Sequence, residues 1–341
     1  MALCEAAELD NLRAWLHYPS SMFQIHGGGR FGAEILLVGG VVLQYVSTRF
    51  SITALGRADG SKPGWHAVGQ WMPILFTALA ALVMGMPEMA ISLVFGSSVA
   101  CLSLVLGMTA YVSPIGPNAP HRRLWATVLP ASIFLLLAGF HGTLTWFHAV
   151  MLLVMGAAFL AVWLERSDEL ASLPLPRESS HPMALLIPGL VLGAAGAAIT
   201  AYGATRSSTR LLTPELLAAT ILSPLLLLPA LGVGTMLAQQ GHTDRVLSAL
   251  CGTVLLNLCL LLPAVILIHY ATTALQGRPA ATSFPMICWR VDGVLLVVLS
   301  FALVPVAAGR WLPERLEATL LVIIYVGYFL AEILISARVF S

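Results

Sequence analysis

Two stretches of the chain carry oxygen-bearing side chains into segments apolar enough to enter a bilayer. The first, Gly85 to Met108 (GMPEMAISLVFGSSVACLSLVLGM), holds Glu88, Ser92, Ser97, Ser98 and Ser103. The second, Gly241 to Pro263 (GHTDRVLSALCGTVLLNLCLLLP), holds Asp244, Ser248, Thr253 and Asn257. Each opens on Gly, with an acid three residues later, a Ser four further on and then a Gly-Ser or Gly-Thr pair. Small residues let helices approach closely in lipid, and hydroxyls and amides hydrogen-bond across them. The same groups are also weak oxygen ligands for a cation stripped of water. A pattern that recurs over such a length is an internal repeat.

The elements that must position these residues are membrane spans. The chain has 341 residues, 58% hydrophobic and 10% charged, with a mean hydropathy of +0.89. A soluble domain carries about a quarter charged residues. A net charge of +1, with basic residues at span ends instead of in a patch, excludes nucleic acid as a partner. The partner implied is the lipid bilayer. Three of the five cysteines (Cys101, Cys251, Cys259) lie inside apolar segments, and no C-x-x-C pair occurs. They read as small buried apolar side chains, with no disulfide framework or zinc site indicated.

Spans of about 20 apolar residues fall at roughly 31–48, 65–84, 88–112, 124–140, 144–164, 183–203, 213–238, 245–270, 287–308 and 317–337. The expected fold is an all-α integral membrane protein of about ten transmembrane helices. The polar stretch 166–182 divides them five and five, giving a first membrane repeat over 30–165 and a second over 183–341. Because five is odd, the second half enters with opposite orientation, which is an inverted repeat, a transporter architecture. Residues 1–29 read as a leader, either solvated or with Leu9, Leu12, Trp15 and Leu16 on one face of an interfacial helix; their early acids argue against a secretory signal. Lys and Arg number 7 on the side of both termini and 10 on the other. That bias places the termini outside and the linker in the cytoplasm. The short linker fits a compact form in a bacterial inner membrane.

With both stretches laid side by side, the chain resembles the sodium/calcium exchanger family of cation/calcium antiporters. Each half of that family carries G-T-S-x-P-E, a short apolar run, then D-x-A-x-G-N-x-x-G-S-N-x-x-N and a tail ending L-G-L. Here AVGQWMPIL (Ala67–Leu75) stands for the first motif. Glu88 falls at the Asp, Gly96-Ser97 at the Gly-Ser and SLVLGM (Ser103–Met108) at the tail. In the second half Pro229 falls at the motif Pro, Asp244 at the Asp, Gly252-Thr253 at the Gly-Ser and Asn257 at the last Asn. Gly32–Gly40 and Tyr202-Gly203-Ala204 resemble the helix that opens each half.

The resemblance implies ten helices in two inverted halves and cation antiport by alternating access. The transported cations, sodium, calcium or protons, are substrates, with no cofactor. It also implies a cation site built on the Glu of each first motif. Those positions are Ile74 and Ala230 here, and the motif's Thr and Ser are Gln70 and Trp71, and Leu226 and Leu227. Calcium takes six to eight oxygens, usually with carboxylates among them, so the family's calcium site is expected to be degenerate.

The residues left for an ion path are Gln70, Glu88, Ser97, Ser98, Asp244, Thr253 and Asn257, which also read as packing and interhelical hydrogen-bond residues. Glu88 and Asp244 also suit helix starts, where the dipole favours acids. Glu34 reads as interfacial, and so does Asp292 paired with Arg290. Glu332, well inside the last span, sits at headgroup level or lines a cavity. His66, His141, His148 and His269 lie near span ends and read as interfacial.

No G-x-S-x-G, H-E-x-x-H, Walker or dinucleotide motif occurs, so no enzyme is expected. Three functions remain on the sequence. One is a divergent antiporter, one is a pseudo-transporter serving as membrane scaffold or partner-binding subunit, and one is a carrier of an uncharged or lipid-like solute.

Overall fold

The computed structural model describes residues 30–58, 63–113, 128–139, 143–167, 182–208, 213–241, 243–276, 282–283, 289–307 and 314–339. The leader 1–29 and most of the 166–182 linker lie outside the described residues.

Among the described residues, ten helical passes follow the ten predicted spans. They are α1 (Arg30–Ala58), α2 (Pro63–Val83), α3 (Pro87–Val112), α4 (Val128–Gly139), α5 (Trp146–Ser167), α6 (Pro182–Ser207), α7 (Pro214–Gln239), α8 (Thr243 to Leu275), α9 (Trp289 to Ala307) and α10 (Arg315–Val339). Six are long and apolar enough to cross a membrane, and the other four contain shorter apolar helices. A two-residue pairing of β1 (Thr143–Leu144) with β2 (Thr282–Ser283) ties the α4–α5 connection to the α8–α9 connection.

α3 is the centre of the molecule, buried over 94% of its most apolar window, while α10 is buried over only 22% of its own. Leu330, Leu334 and Ile335 of α10 and Ile35, Val38 and Val42 of α1 are exposed on the outside of the bundle. Exposed leucine, isoleucine and valine on a long helix fit a lipid-facing surface, where no water is present to oppose them.

The two halves repeat at one fixed spacing. Gln44 and Thr200 are 156 residues apart and meet across the molecule, the Gln44 amide 3.2 Å from Thr200 Oγ1. The same interval separates Gly85 from Gly241, which end α2 and α7 with φ of 78° and 80°. A left-handed backbone there closes each turn, and glycine adopts it without strain. The interval also relates Pro73 to Pro229, the starts of α3 and α8 (Pro87 and Thr243), and two π-helical turns, Cys101–Val105 in α3 and Asn257–Leu261 in α8.

The contact at α1 and α6 is reciprocal. A methyl on Gly40 would stand 2.8 Å from the Gly196 carbonyl, and one on Gly196 would stand 2.9 Å from the Gly40 carbonyl. A pseudo-two-fold axis through this crossing is what two inverted repeats require, and small residues at the crossing allow the close approach.

Proline sets the irregularities in α7. Pro224 has no N–H, so the carbonyls of Thr220 and Ala219 lose the donors an α or π turn would supply. Ser223 N–H turns instead to Ala218 O, and the segment Ala218–Leu222 opens into a π turn. Tyr325 of α10 donates its hydroxyl to Thr220 O at 2.9 Å, and Tyr328 OH stands 3.5 Å from Ala219 O. Three residues beyond Pro224, the helix is interrupted at Leu227 (ψ −1°) and resumes over Leu228–Gln239. In α8, Pro263 follows the Asn257–Leu261 turn in the same way.

Candidate functional site

At the heart of the bundle α3, α7 and α8 meet. Gly96 is pressed against the backbone of Ala219: a methyl there would come within 2.6 Å of Ala219 Cα. Ser223 Oγ reaches Leu93 O at 3.3 Å. Beside this contact Ser97, Ser98 and Asn257, all fully buried, come together. Asn257 Nδ2 donates to Ser97 Oγ at 2.9 Å and approaches Ser98 Oγ at 3.4 Å.

The network fixes which way the amide points. Both serine hydroxyls donate to Val94 O, at 3.1 and 2.8 Å. Their protons are therefore committed, they accept from Asn257 N–H, and Asn257 Oδ1 faces the other way. That oxygen is buried and accepts no hydrogen bond from the described residues. A buried acceptor without a donor calls for an explanation, and an electropositive occupant supplies one.

Gln70 is similar. It is 4% exposed on α2, and its Oε1 finds no donor among the described residues. The adjoining Trp71 Nε1–H is a buried donor without an acceptor there. Thr253 lies one turn before Asn257, fully buried, with its hydroxyl committed to Ala249 O at 2.9 Å. Ile74 and Ala230, at the family's acid positions, are 0% and 2% exposed and belong to the apolar core. The polar side chains gathered at this meeting of helices are hydroxyls and amides.

Two predicted path residues fall outside this cluster. Glu88 stands in the first turn of α3, half-buried and within electrostatic reach of the His269 imidazole on α8. Asp244 stands in the first turn of α8, and its side chain lies outside the described residues. Their positions at helix starts suit the dipole. Glu34 is exposed near the start of α1. His148 is a capping residue: its Nδ1 accepts from Thr145 N at 3.1 Å at the start of α5. His141 and the His66 side chain lie outside the described residues. Cys101, Cys251 and Cys259 are buried, as their apolar reading predicts.

The expectation for Asp292 needs correction. It is 0% exposed, not interfacial. A π turn at Trp289–Gly293 opens α9 and packs it against α3, α4 and α10, so the carboxyl turns inward. There it meets Glu332 of α10, itself 1% exposed. Glu332 therefore lies inside the protein. A second polar group missed in the sequence joins α1, α2 and α6. The Gln44 amide lies 2.9 Å from Thr77 Oγ1 and 3.2 Å from Thr200 Oγ1. The Thr77 hydroxyl also donates to Pro73 O at 2.7 Å, one turn back in α2.

Ten apolar helices in two inverted halves, with an interrupted helix and a polar cluster at their junction, define an integral membrane transporter fold. The family model for the sodium/calcium exchanger protein matches residues 66–164 and 181–334, well over half of the chain. The chain belongs to the sodium/calcium exchanger family, whose members are transporters and not enzymes.

Solved structures of the sodium-calcium exchanger NCX_Mj share its fold. The form soaked with 2.5 mM Na+ and 10 mM Sr2+ is 20% identical with a TM-score of 0.60, covering 87% of this chain and 98% of that one. The form with 100 mM Na+ and 10 mM Sr2+ is 21% identical at 0.61, covering 87% and 97%. The form with zero Na+ and Ca2+ is 20% identical at 0.58, covering 86% and 96%. No curated protein matches the chain.

Proposed function

We propose that the protein is a cation antiporter working by alternating access between its two halves, with a neutral-oxygen site in place of the family's acidic one. The observation that carries this is Asn257 Oδ1, buried and without a donor among the described residues, beside Ser97 and Ser98 where α3, α7 and α8 meet. Gln70 and Thr253 belong to the same proposed path, and Glu88 and Asp244 stand at its helix-start approaches.

The loss of both carboxylates also bears on which cation is carried. A dehydrated divalent ion needs compensating charge as well as oxygens. Ile74 and Ala230 supply neither. A singly charged cation is less demanding, so sodium is the favoured substrate over calcium. The crossing of α1 and α6 at Gly40 and Gly196 is the hinge about which the halves exchange sides. The excess of Lys and Arg in the connections on the side away from the termini favours both termini outside, in a bacterial inner membrane.

The test is the variant Ser97→Ala, Ser98→Ala, Asn257→Ala reconstituted in proteoliposomes. It should lose gradient-driven sodium uptake while remaining folded. Unchanged uptake would remove these residues from the path. The buried apolar pair Ile74 and Ala230 also favours a second reading, a pseudo-transporter kept as a membrane scaffold. Absence of any cation flux in the parent protein would select it.

A further inference from the structure

The carboxyl groups of Asp292 and Glu332 stand side by side inside the protein, 0% and 1% exposed. They come from α9 and α10, not from α3 and α8, which build the central cluster. No N–H or O–H of the described residues donates to either Glu332 oxygen. The titratable and charged groups on the elements packed against this place are few. They are Glu88, Cys101 and Tyr111 on α3, Glu215 on α7, Tyr325 and Tyr328 on α10 itself with Arg315, Glu317 and Arg338 nearer its ends, and Arg290 on the Asp292 turn, whose side chain lies outside the described residues. Tyr325 has its hydroxyl committed to Thr220 O.

Two carboxyls in contact and out of water cannot both be ionised without something positive between them. Among the described residues no group of three acidic, His or Cys side chains could hold a metal ion here. A proton needs only the two oxygens.

We propose that Asp292 and Glu332 form a proton-binding site, with one proton held between the two carboxyls. Its place suggests how occupancy is felt elsewhere. Glu332 follows Tyr328 by one turn and Tyr325 by two on the buried face of α10. Those tyrosines hold the Ala219 and Thr220 carbonyls of the π turn in α7, and Ala219 is the residue that Gly96 packs against, next to Ser97 and Ser98. Loss of the proton leaves two negative charges in contact, which drives α9 and α10 apart and pulls on α7 through the tyrosines. The pair lies seven residues, about 10 Å, from the C-terminal end of α10, so the proton exchanges with the face that carries the termini. If the transporter reading above holds, and this role rests on it, the proton is the counter-ion.

The proton site is tested without transport. Infrared difference spectra of the purified full-length protein, titrated in pH, should show at neutral pH a protonated-carboxyl C=O band worth about one group per protein. Glu332→Gln and Asp292→Asn should each lose it, because an amide N–H replaces the shared proton and lets the remaining acid ionise. Glu215→Gln should keep it. A wild-type spectrum with no such band at neutral pH, a band that survives in both amide variants, or a band that sodium or calcium chloride abolishes at constant pH would overturn the proposal. Proteoliposome uptake with and without a proton gradient is read separately. A band present with sodium uptake indifferent to that gradient removes the counter-ion role and leaves the proton site. A band present with no cation uptake at all tells against the transporter reading instead.

Discussion

Two polar regions lie within one apolar bundle, and they are built in opposite ways. The central cluster of Ser97, Ser98 and Asn257 is neutral, sits beside the pseudo-two-fold and draws on both repeats. The Asp292–Glu332 pair is acidic, draws on α9 and α10 alone and has no paired counterpart in the first half, whose last two helices, α4 and α5, carry a single acid, Glu165. The family's resemblance places acids in the first region, where this chain has Ile74 and Ala230. The buried acidic pair lies on α9 and α10, away from the repeat motifs. Symmetry accounts for the fold and the neutral cluster, and the departure from symmetry accounts for the charge.

The sharpest way to break this contrast is to restore the missing acids. Ile74→Glu with Ala230→Glu should give the central region calcium binding in the millimolar range, about 4 kcal/mol gained from nothing, measured by isothermal titration. No binding at millimolar calcium in the folded variant would count against placing these residues at the family's acid positions.

A smaller effect is expected from filling the helix crossing that supports the neutral cluster. Gly96→Leu forces a side chain into the Ala219 backbone and should cost about 3 kcal/mol, seen as a lower thermal unfolding temperature in detergent. No larger is the loss from Ser97→Ala, Ser98→Ala, Asn257→Ala. With three neutral ligands removed at about 1 kcal/mol each, apparent sodium affinity should fall about a hundredfold, which removes gradient-driven uptake at sodium concentrations that suffice for the parent. Smallest is Tyr325→Phe, which leaves Thr220 O without its cross-helix donor. It should cost about 1 kcal/mol in stability and leave sodium affinity within a factor of about two, since Tyr325 lies outside the Ser97–Ser98–Asn257 cluster.

The fold was readable because it rests on local signals: ten apolar runs, Gly and Pro at their ends, and a repeated acid–Ser–Gly pattern whose two copies keep one register. Asn257, Ser97 and Ser98 were readable as candidates because hydroxyls and amides are conspicuous in apolar helices. Their direct hydrogen bonding was not, since it spans 160 residues for Ser97 and depends on how α3 meets α8.

Asp292 was misplaced for a physical reason. Next to Arg290 at the start of a span it has the pattern of an interfacial pair, and only the π turn at Trp289–Gly293 aims it inward. Glu332 shares a face with Tyr325 and Tyr328 by helical spacing, so its inward side could be read from the sequence, but its partner comes from another helix. The Gln44–Thr77–Thr200 group was not legible as one because its members lie on three separate helices.

The measurement that bears most directly on the central claim is parallel uptake of radiolabelled sodium and calcium into proteoliposomes, with opposing gradients imposed and removed. A neutral oxygen site predicts gradient-driven sodium uptake well above calcium uptake, lost in the Ser97, Ser98 and Asn257 alanine variant. Calcium uptake equal to or above that of sodium, or uptake untouched by that variant, would contradict it.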